Sequence, residues 1–207
     1  MISVSLLSMR DNLLYYLNEL NNSNIDYIHL DMMDGLFVPN KTYTYDEIKL
    51  IVDNTNKPLD VHLMVEDIND YIKDYISYNT EYITFHYEAM KDISIINKIK
   101  SHNIKCGISI KPSTEVEQIY DLLDKIDLVL IMSVEPGKGG QEFIQNSLTK
   151  IEKLKEEINK RNLNVKISVD GGINKDTGKK SLESGADILV IGTSIKDNLS
   201  LIDDLKE

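Results

Sequence analysis

Apolar residues recur along this chain with two different periods, one alternating with the other. Short runs rich in Val, Ile, Leu and aromatic residues occur at 2–7 (ISVSLL), 27–31 (YIHLD), 59–65 (LDVHLMV) and 82–86 (YITFH). Four more follow at 105–110 (KCGISI), 128–134 (LVLIMSV), 166–170 (KISVD) and 188–192 (ILVIG). Between them, DNLLYYLNELNN (11–22), EVEQIYDLLDKI (115–126) and SLTKIEKLKEEINKRN (147–162) repeat apolar residues at roughly i, i+3, i+4 and i+7. The first pattern predicts strands and the second helices. No hairpin signal joins successive runs, so the strands are expected to be parallel, with helical crossovers. Eight such units in 207 residues predict an α/β fold, a single (β/α)8 TIM barrel spanning residues 1–207 as one domain. An open doubly wound sheet is the structural rival, and it would need fewer strands or a weaker eighth unit.

A barrel of this kind carries its chemistry at the C-terminal ends of its strands. The polar residues that interrupt the apolar runs fall there: Ser5 on the first, His29 and Asp31 on the second, His62 on the third and His86 on the fourth. Lys111 follows the fifth, Met132 and Ser133 end the sixth, Asp170 ends the seventh, and Gly192 and Thr193 end the eighth. His29 and Asp31 are two residues apart on a strand, so both face the same way. With His62 from the next strand and Asp170 from across the barrel, they would form a mixed imidazole and carboxylate shell for one divalent metal ion such as Zn, Fe(II), Mn or Co. Taken singly, His29 reads as a core histidine and Asp31 as a loop cap. Four such groups on one rim favour a site, because unpaired buried charge is costly.

A second signal points to an anion. EPGKGGQEF (135–143) is a glycine-rich loop after the sixth strand, with Gly137, Lys138, Gly139 and Gly140 at its centre. Gly171 and Gly172 follow the seventh strand, and Gly192-Thr193-Ser194 the eighth. Glycines let backbone N–H groups approach a phosphate, and the last strands of these barrels are its usual place. Met33, Met64 and Met132 lie at functional strand ends; they read as core fillers or as an apolar wall around the site. Asp176 and Thr177 are candidate caps for the helix after DGGIN.

Composition narrows the function classes. A formal charge of −11 and a pI near 4.8 argue against a nucleic-acid surface but leave room for a small anion held by a local cluster of N–H groups. The lone Cys106 excludes an internal disulfide and suits a reducing compartment. The amino-terminal MISVSLLSMRDNLL has no export signal and no run long enough for a membrane, so a cytoplasmic protein is expected.

Taken together, SLLS, HLDMMDGLFVPN, DVHLMV, TFHYEA, IMSVEPGKGGQEFI and SVDGGIN resemble the ribulose-phosphate 3-epimerase family, in order, over about residues 3–195. The resemblance implies metal-dependent epimerisation at C3 between D-ribulose 5-phosphate and D-xylulose 5-phosphate. It also implies that His29, Asp31, His62 and Asp170 hold the metal, with Asp31 accepting a proton and Asp170 donating one. Ser5, His62, residues 137–140, Asp170, Gly171, Gly172, Gly192 and Thr193 match substrate-contacting positions, and Met33, Met64 and Met132 match methionines lining the family's active site. A homo-oligomer, dimer or hexamer, is implied as well. Lys138 stands where the family usually has Phe, and Val4 where it usually has Pro. The sister allulose-6-phosphate 3-epimerase, with the same chemistry on a longer sugar, stays open as an alternative. A barrel lyase or decarboxylase is less well matched, since Lys111 lies beyond its strand in a Pro-containing turn.

Overall fold

In the computed structural model the eight apolar runs form eight parallel strands closed into a barrel in the order β1 to β8. They are β1 Ile2–Ser5, β2 Tyr27–Met33, β3 Leu59–Met64, β4 Thr80–His86, β5 Lys105–Ile110, β6 Leu128–Met132, β7 Lys166–Asp170 and β8 Ile188–Ile191. The structure describes residues 1–196 and 198–206; Asp197 and Glu207, inside the predicted domain span, lie outside the described residues. Pairing of Ile2 to Val4 with Leu189 to Ile191 joins β1 to β8, and closure of this kind removes exposed sheet edges. The α-helices are α1 Leu13–Asn21, α2 Tyr45–Asn54, α3 Ile68–Tyr75, α4 Ser94–Lys100, α5 Asn146–Lys160, α6 Lys175–Glu183, α7 Thr193–Lys196 and α8 Leu201–Asp204.

The strand sequences look continuously apolar because helices cover one face and the barrel interior the other. One alternating set, including Val4, Ile28, Leu30, Val61, Leu63, Phe85, Ile108, Ile131, Val169 and Ile191, packs with helix residues such as Leu17, Ile51, Ile72, Ile99 and Leu154 in the main core. The other set fills the barrel and is split by chemistry. Leu128, Leu130 and Met132 of β6 join Ile188 and Val190 of β8, with Tyr82 and Val134, in an apolar cluster. Ser3, His29, Asp31, Asp60, His62, Thr84 and His86, all from β1 to β4, are buried polar residues. Buried polar groups are costly unless paired, so this half of the interior is where most of the candidate site gathers, with Asp170 of β7 beside it.

Two local expectations are corrected. The segment 115–126 forms a 3-10 helix, Val116–Leu122, instead of an α-helix. Its buried residues Val116, Ile119 and Leu122 are spaced by three, which suits three residues per turn better than 3.6. Asn174, and not Asp176, is the N-cap of α6, with Thr177 as the other half of a capping box: the Asn174 side chain accepts from the backbone N–H groups of Asp176 (2.9 Å) and Thr177 (3.0 Å). Thr177 returns the bond by accepting from Asn174 N (2.8 Å) and donates to Gly172 O (2.9 Å), so the cap also fastens the turn after Asp170.

Gly107 on β5 has no room for a side chain. An added Cβ would lie 2.3 Å from Thr84 Oγ1 and 3.0 Å from Leu128 Cδ2. Overpacking of this kind costs about 1–3 kcal/mol. Gly107→Ala is therefore expected to lower the unfolding free energy by that amount, read as a lower urea midpoint at unchanged slope, with partial recovery in Gly107→Ala/Thr84→Ala. Additive effects of the two substitutions would show that the predicted clash is absent.

Candidate active site

Register brings the polar residues together. β2 and β3 align His29 with Asp60 and Asp31 with His62, so an H-x-D pair on one strand faces a D-x-H pair on the next. Asp60 accepts from His29 Nδ1 at 2.8 Å and from the Ser3 hydroxyl at 2.9 Å, both at Oδ2. That turns His29 Nε2 inward, 3.3 Å from Asp31 Oδ1 and 3.9 Å from Asp170 Oδ2. His62 Nδ1 lies 3.3 Å from Asp31 Oδ1 and 3.8 Å from Asp170 Oδ2. The second Asp31 oxygen accepts from Ser5 Oγ at 2.7 Å. Although β7 and β2 are separated by β8 and β1, one ligand atom from each of His29, Asp31, His62 and Asp170 falls within 4.8 Å of all the others.

The residues present fit a divalent metal. His29 Nε2 is fully buried and has no hydrogen-bond partner among the described residues, a costly arrangement unless a cation or proton sits beside it. Two imidazole nitrogens and two carboxylate oxygens form a mixed donor set with no sulfur, suited to Zn, Fe(II), Mn or Co. Tetrahedral ligands about 2.0–2.1 Å from a centre would be about 3.3 Å apart. The shorter edges of the cluster have that length, and the edges to Asp170 are longer.

Electrostatics separates the two aspartates. Burial alone would raise the Asp31 carboxyl, but the charge of His29 3.3 Å away, with the His62 imidazole beside it, holds it far below the usual carboxylate range. Burial, then the nearby charge of Asp31, pushes Asp170 up to about 6. His29 is desolvated, which opposes its charge, yet Asp60 and Asp31 raise it well above the ordinary imidazole value. In the metal-free centre both shifts favour the protonated forms of His29 and Asp170 where a cation would otherwise sit.

Above this cluster opens a cavity of about 540 Å³ lined by Ser5, Asp31, Met33, Met64, Met132, Gly137 to Gly140, Asp170 to Gly172, Gly192 and Thr193, among others. The Asp170 side chain keeps 16% exposure, against 6% for Asp31. His29 and His62 are completely buried and lie beneath the floor. Met33 and Met64 pack with Val38, Leu7 and Phe37 to make one apolar wall; Met132 belongs to the barrel's apolar cluster on the other side. Gly171 has φ +116, and a Cβ there would lie 2.3 Å from Val134 Cγ2. Only glycine suits a turn that is both left-handed and in close contact with its neighbour.

The 135–143 loop is fastened at two points. Asn40, the last residue of HLDMMDGLFVPN, donates to Gly137 O at 2.8 Å. Gln141 donates to Glu135 O at 2.7 Å and to Lys138 O at 2.9 Å. Lys138 itself is exposed. Sequence reasoning did not find Asp60, which orients His29. Its signal is the D-x-H spacing in LDVH, the mirror of H-x-D in YIHLD.

The ribulose-phosphate 3-epimerase family model matches residues 1–196. Proteins named ribulose-phosphate 3-epimerase are similar over most of the chain. The one from Treponema pallidum is 40% identical over 169 residues, 81% of this chain and 78% of that protein. Its Methanocaldococcus jannaschii counterpart is 41% identical over 174 residues (84% and 74%), and the Bacillus subtilis protein 38% over 183 residues (86% and 83%). Solved structures share the fold at low identity. KGPDC from Streptococcus mutans superposes with a TM-score of 0.68 at 16% identity, covering 99% of this chain and 94% of that one. Orotidine 5'-phosphate decarboxylase from Pyrococcus horikoshii gives 0.68 at 13% identity, with both chains fully covered. Among the described residues, no helix is long and apolar enough to cross a membrane. The family match and the relatives agree: this chain belongs to the ribulose-phosphate 3-epimerase family and is an isomerase acting on carbohydrates.

Proposed function

We propose that the chain, as one barrel domain over residues 1–207 in a cytoplasmic homo-oligomer, inverts C3 of D-ribulose 5-phosphate to give D-xylulose 5-phosphate. The reaction proceeds by two-base proton transfer through a cis-enediolate in the presence of one divalent metal. The observation that carries this reading is the convergence of Asp31 of β2 and Asp170 of β7 on one centre with His29 and His62. Both carboxylates border the same cavity.

The C3–H bond is weakly acidic because the adjacent C2 ketone takes up the charge left by the departing proton. Asp31, held ionised by His29 and Ser5, accepts the proton from one face. Asp170, raised by burial, delivers a proton to the other. Two titratable groups pushed apart in this way suit the roles of base and acid. His29, Asp31, His62 and Asp170 would hold the cation, which supplies Lewis-acid stabilisation of the developing oxygen charge, worth several kcal/mol. Met33, Met64 and Met132 keep water away from that charge, while Ser5 orients Asp31. Gly137, Lys138, Gly139, Gly140, Gly171, Gly172, Gly192 and Thr193, which border the cavity, receive the phosphate end, with backbone N–H groups as donors. The 135–143 loop serves as the cover.

The test is conversion of D-ribulose 5-phosphate by the purified protein, followed by a coupled assay for xylulose 5-phosphate. Turnover that is at least 10-fold better on the pentose than on allulose 6-phosphate is the expected result. The opposite preference would move the substrate to the six-carbon sugar, and no turnover of either would defeat the catalytic assignment.

A further inference from the structure

A chain of contacts runs behind His62, away from the cavity. His62 Nε2 lies 3.0 Å from His86 Nε2, and His86 Nδ1 lies 3.2 Å from Glu88 Oε2. The other Glu88 oxygen accepts from Lys111 N at 2.9 Å and from the Thr114 hydroxyl. Thr114 is held in turn, because Lys150 Nζ donates to Thr114 O at 2.6 Å and to Pro112 O at 2.7 Å. His86 is completely buried, covered by the Phe37 ring at a centroid distance of 4.7 Å. None of these residues borders the cavity.

Donors and acceptors along the chain match in one direction. An ionised carboxylate only accepts, so His86 Nδ1 carries a hydrogen towards Glu88. In a neutral imidazole the other nitrogen is then a bare acceptor, so His86 Nε2 receives a hydrogen from His62 Nε2. His62 Nδ1 is thereby the nitrogen left for the centre, 3.3 Å from Asp31 and 3.8 Å from Asp170. The reverse arrangement would bury a doubly protonated His86. We propose that Glu88 and His86 are positioning residues that keep a hydrogen on His62 Nε2, aimed away from the centre, and so present Nδ1 as the ligand atom. Asp60 does the same for His29 through the opposite nitrogen, leaving Nε2 inward. The inference rests on the proposed metal role of the centre, but the tautomer is a property of the metal-free protein.

The experiment is a long-range 1H–15N correlation of the histidine side chains in uniformly 15N-labelled, metal-free protein, paired with zinc affinity by competition with a chromophoric chelator. Wild type is expected to show a hydrogen on His62 Nε2. Glu88→Gln keeps the shape but brings an amide donor that can turn towards His86, so the hydrogen on His62 Nε2 should be lost. Zinc should bind about 10–100-fold more weakly, the usual effect of removing a partner behind a metal ligand. His86→Phe, which preserves the stack on Phe37, should weaken zinc by a similar factor. A His62 Nε2 without hydrogen in the wild type, or wild-type zinc affinity in both variants, would overturn the proposal. If Glu88→Gln fails to fold, the wild-type tautomer and His86→Phe still decide it. If the wild type binds no zinc, the metal reading fails, while the His62 tautomer and its response to Glu88→Gln decide the relay by themselves.

Discussion

Asp170→Asn is expected to abolish epimerisation while leaving proton exchange on one substrate. On the proposed roles, the substitution removes the acid for one face of C3 but leaves Asp31 to take the proton from the other. In heavy water, Asp170→Asn should therefore wash deuterium into C3 of D-ribulose 5-phosphate without forming xylulose 5-phosphate. Asp31→Asn should do the converse, exchanging C3 of D-xylulose 5-phosphate. Loss of one general acid or base costs about 10²–10⁴-fold. Both residues also belong to the cluster that fits a metal, so the fall in kcat should lie towards the upper end of that range. Mass spectrometry of the recovered sugar phosphates reads both results. Equal exchange of both epimers by either variant would mean that one group serves both faces.

Removing the metal should have the second-largest effect. A chelator is expected to stop turnover, and Zn, Mn, Co or Fe(II) to restore it in some order. The same treatment should lower Tm, because an ion at 100 times its Kd stabilises the folded state by about 2.7 kcal/mol, or roughly 5–10 °C for a chain of this size. The pH dependence has a definite sign. Asp170 is raised to about 6 in the metal-free centre, above the unfolded value of about 3.9. The folded metal-free protein thus holds this proton more tightly than the unfolded chain and loses stability as pH rises from about 4 through about 6. His29, also raised, adds stability that is lost at higher pH, as its own proton leaves. A metal has to displace the His29 proton, so its affinity climbs as pH rises. The difference in Tm with and without metal should accordingly be larger at pH 8 than at pH 5.5. Thermal scans at the two pH values measure it, and an equal or smaller difference at pH 8 would contradict the assignment of these groups as ligands.

Much of this site was legible in the sequence. The polar residues interrupting apolar runs were visible as strand-end chemistry, and period-two spacing placed His29 and Asp31 on one face. Their partners were harder to see, because spacing along one strand says nothing about register with the next. Asp60 stands beside His29 only because β2 and β3 pair with that offset. His86 and Glu88 were visible as a motif, yet their connection to His62 exists only once β3 and β4 are adjacent. Helix type was misread at 115–126, where burial every third residue imitates the start of an amphipathic α-helix. Asn40 is another case: its place in a Val-Pro-Asn turn reads as loop chemistry, and its bond to Gly137 spans 97 residues. Ser5 matched a substrate-contacting position, and its hydroxyl is engaged by Asp31 at the cavity edge.

The most direct test of the two-base account uses the wild type in heavy water during a single pass from D-ribulose 5-phosphate to D-xylulose 5-phosphate. Two separate groups, one on each face, predict that newly formed xylulose 5-phosphate carries a solvent-derived deuterium at C3 in nearly every molecule. Product that keeps the original hydrogen at C3 would mean that one group removes and returns the same proton, and would contradict the roles given to Asp31 and Asp170.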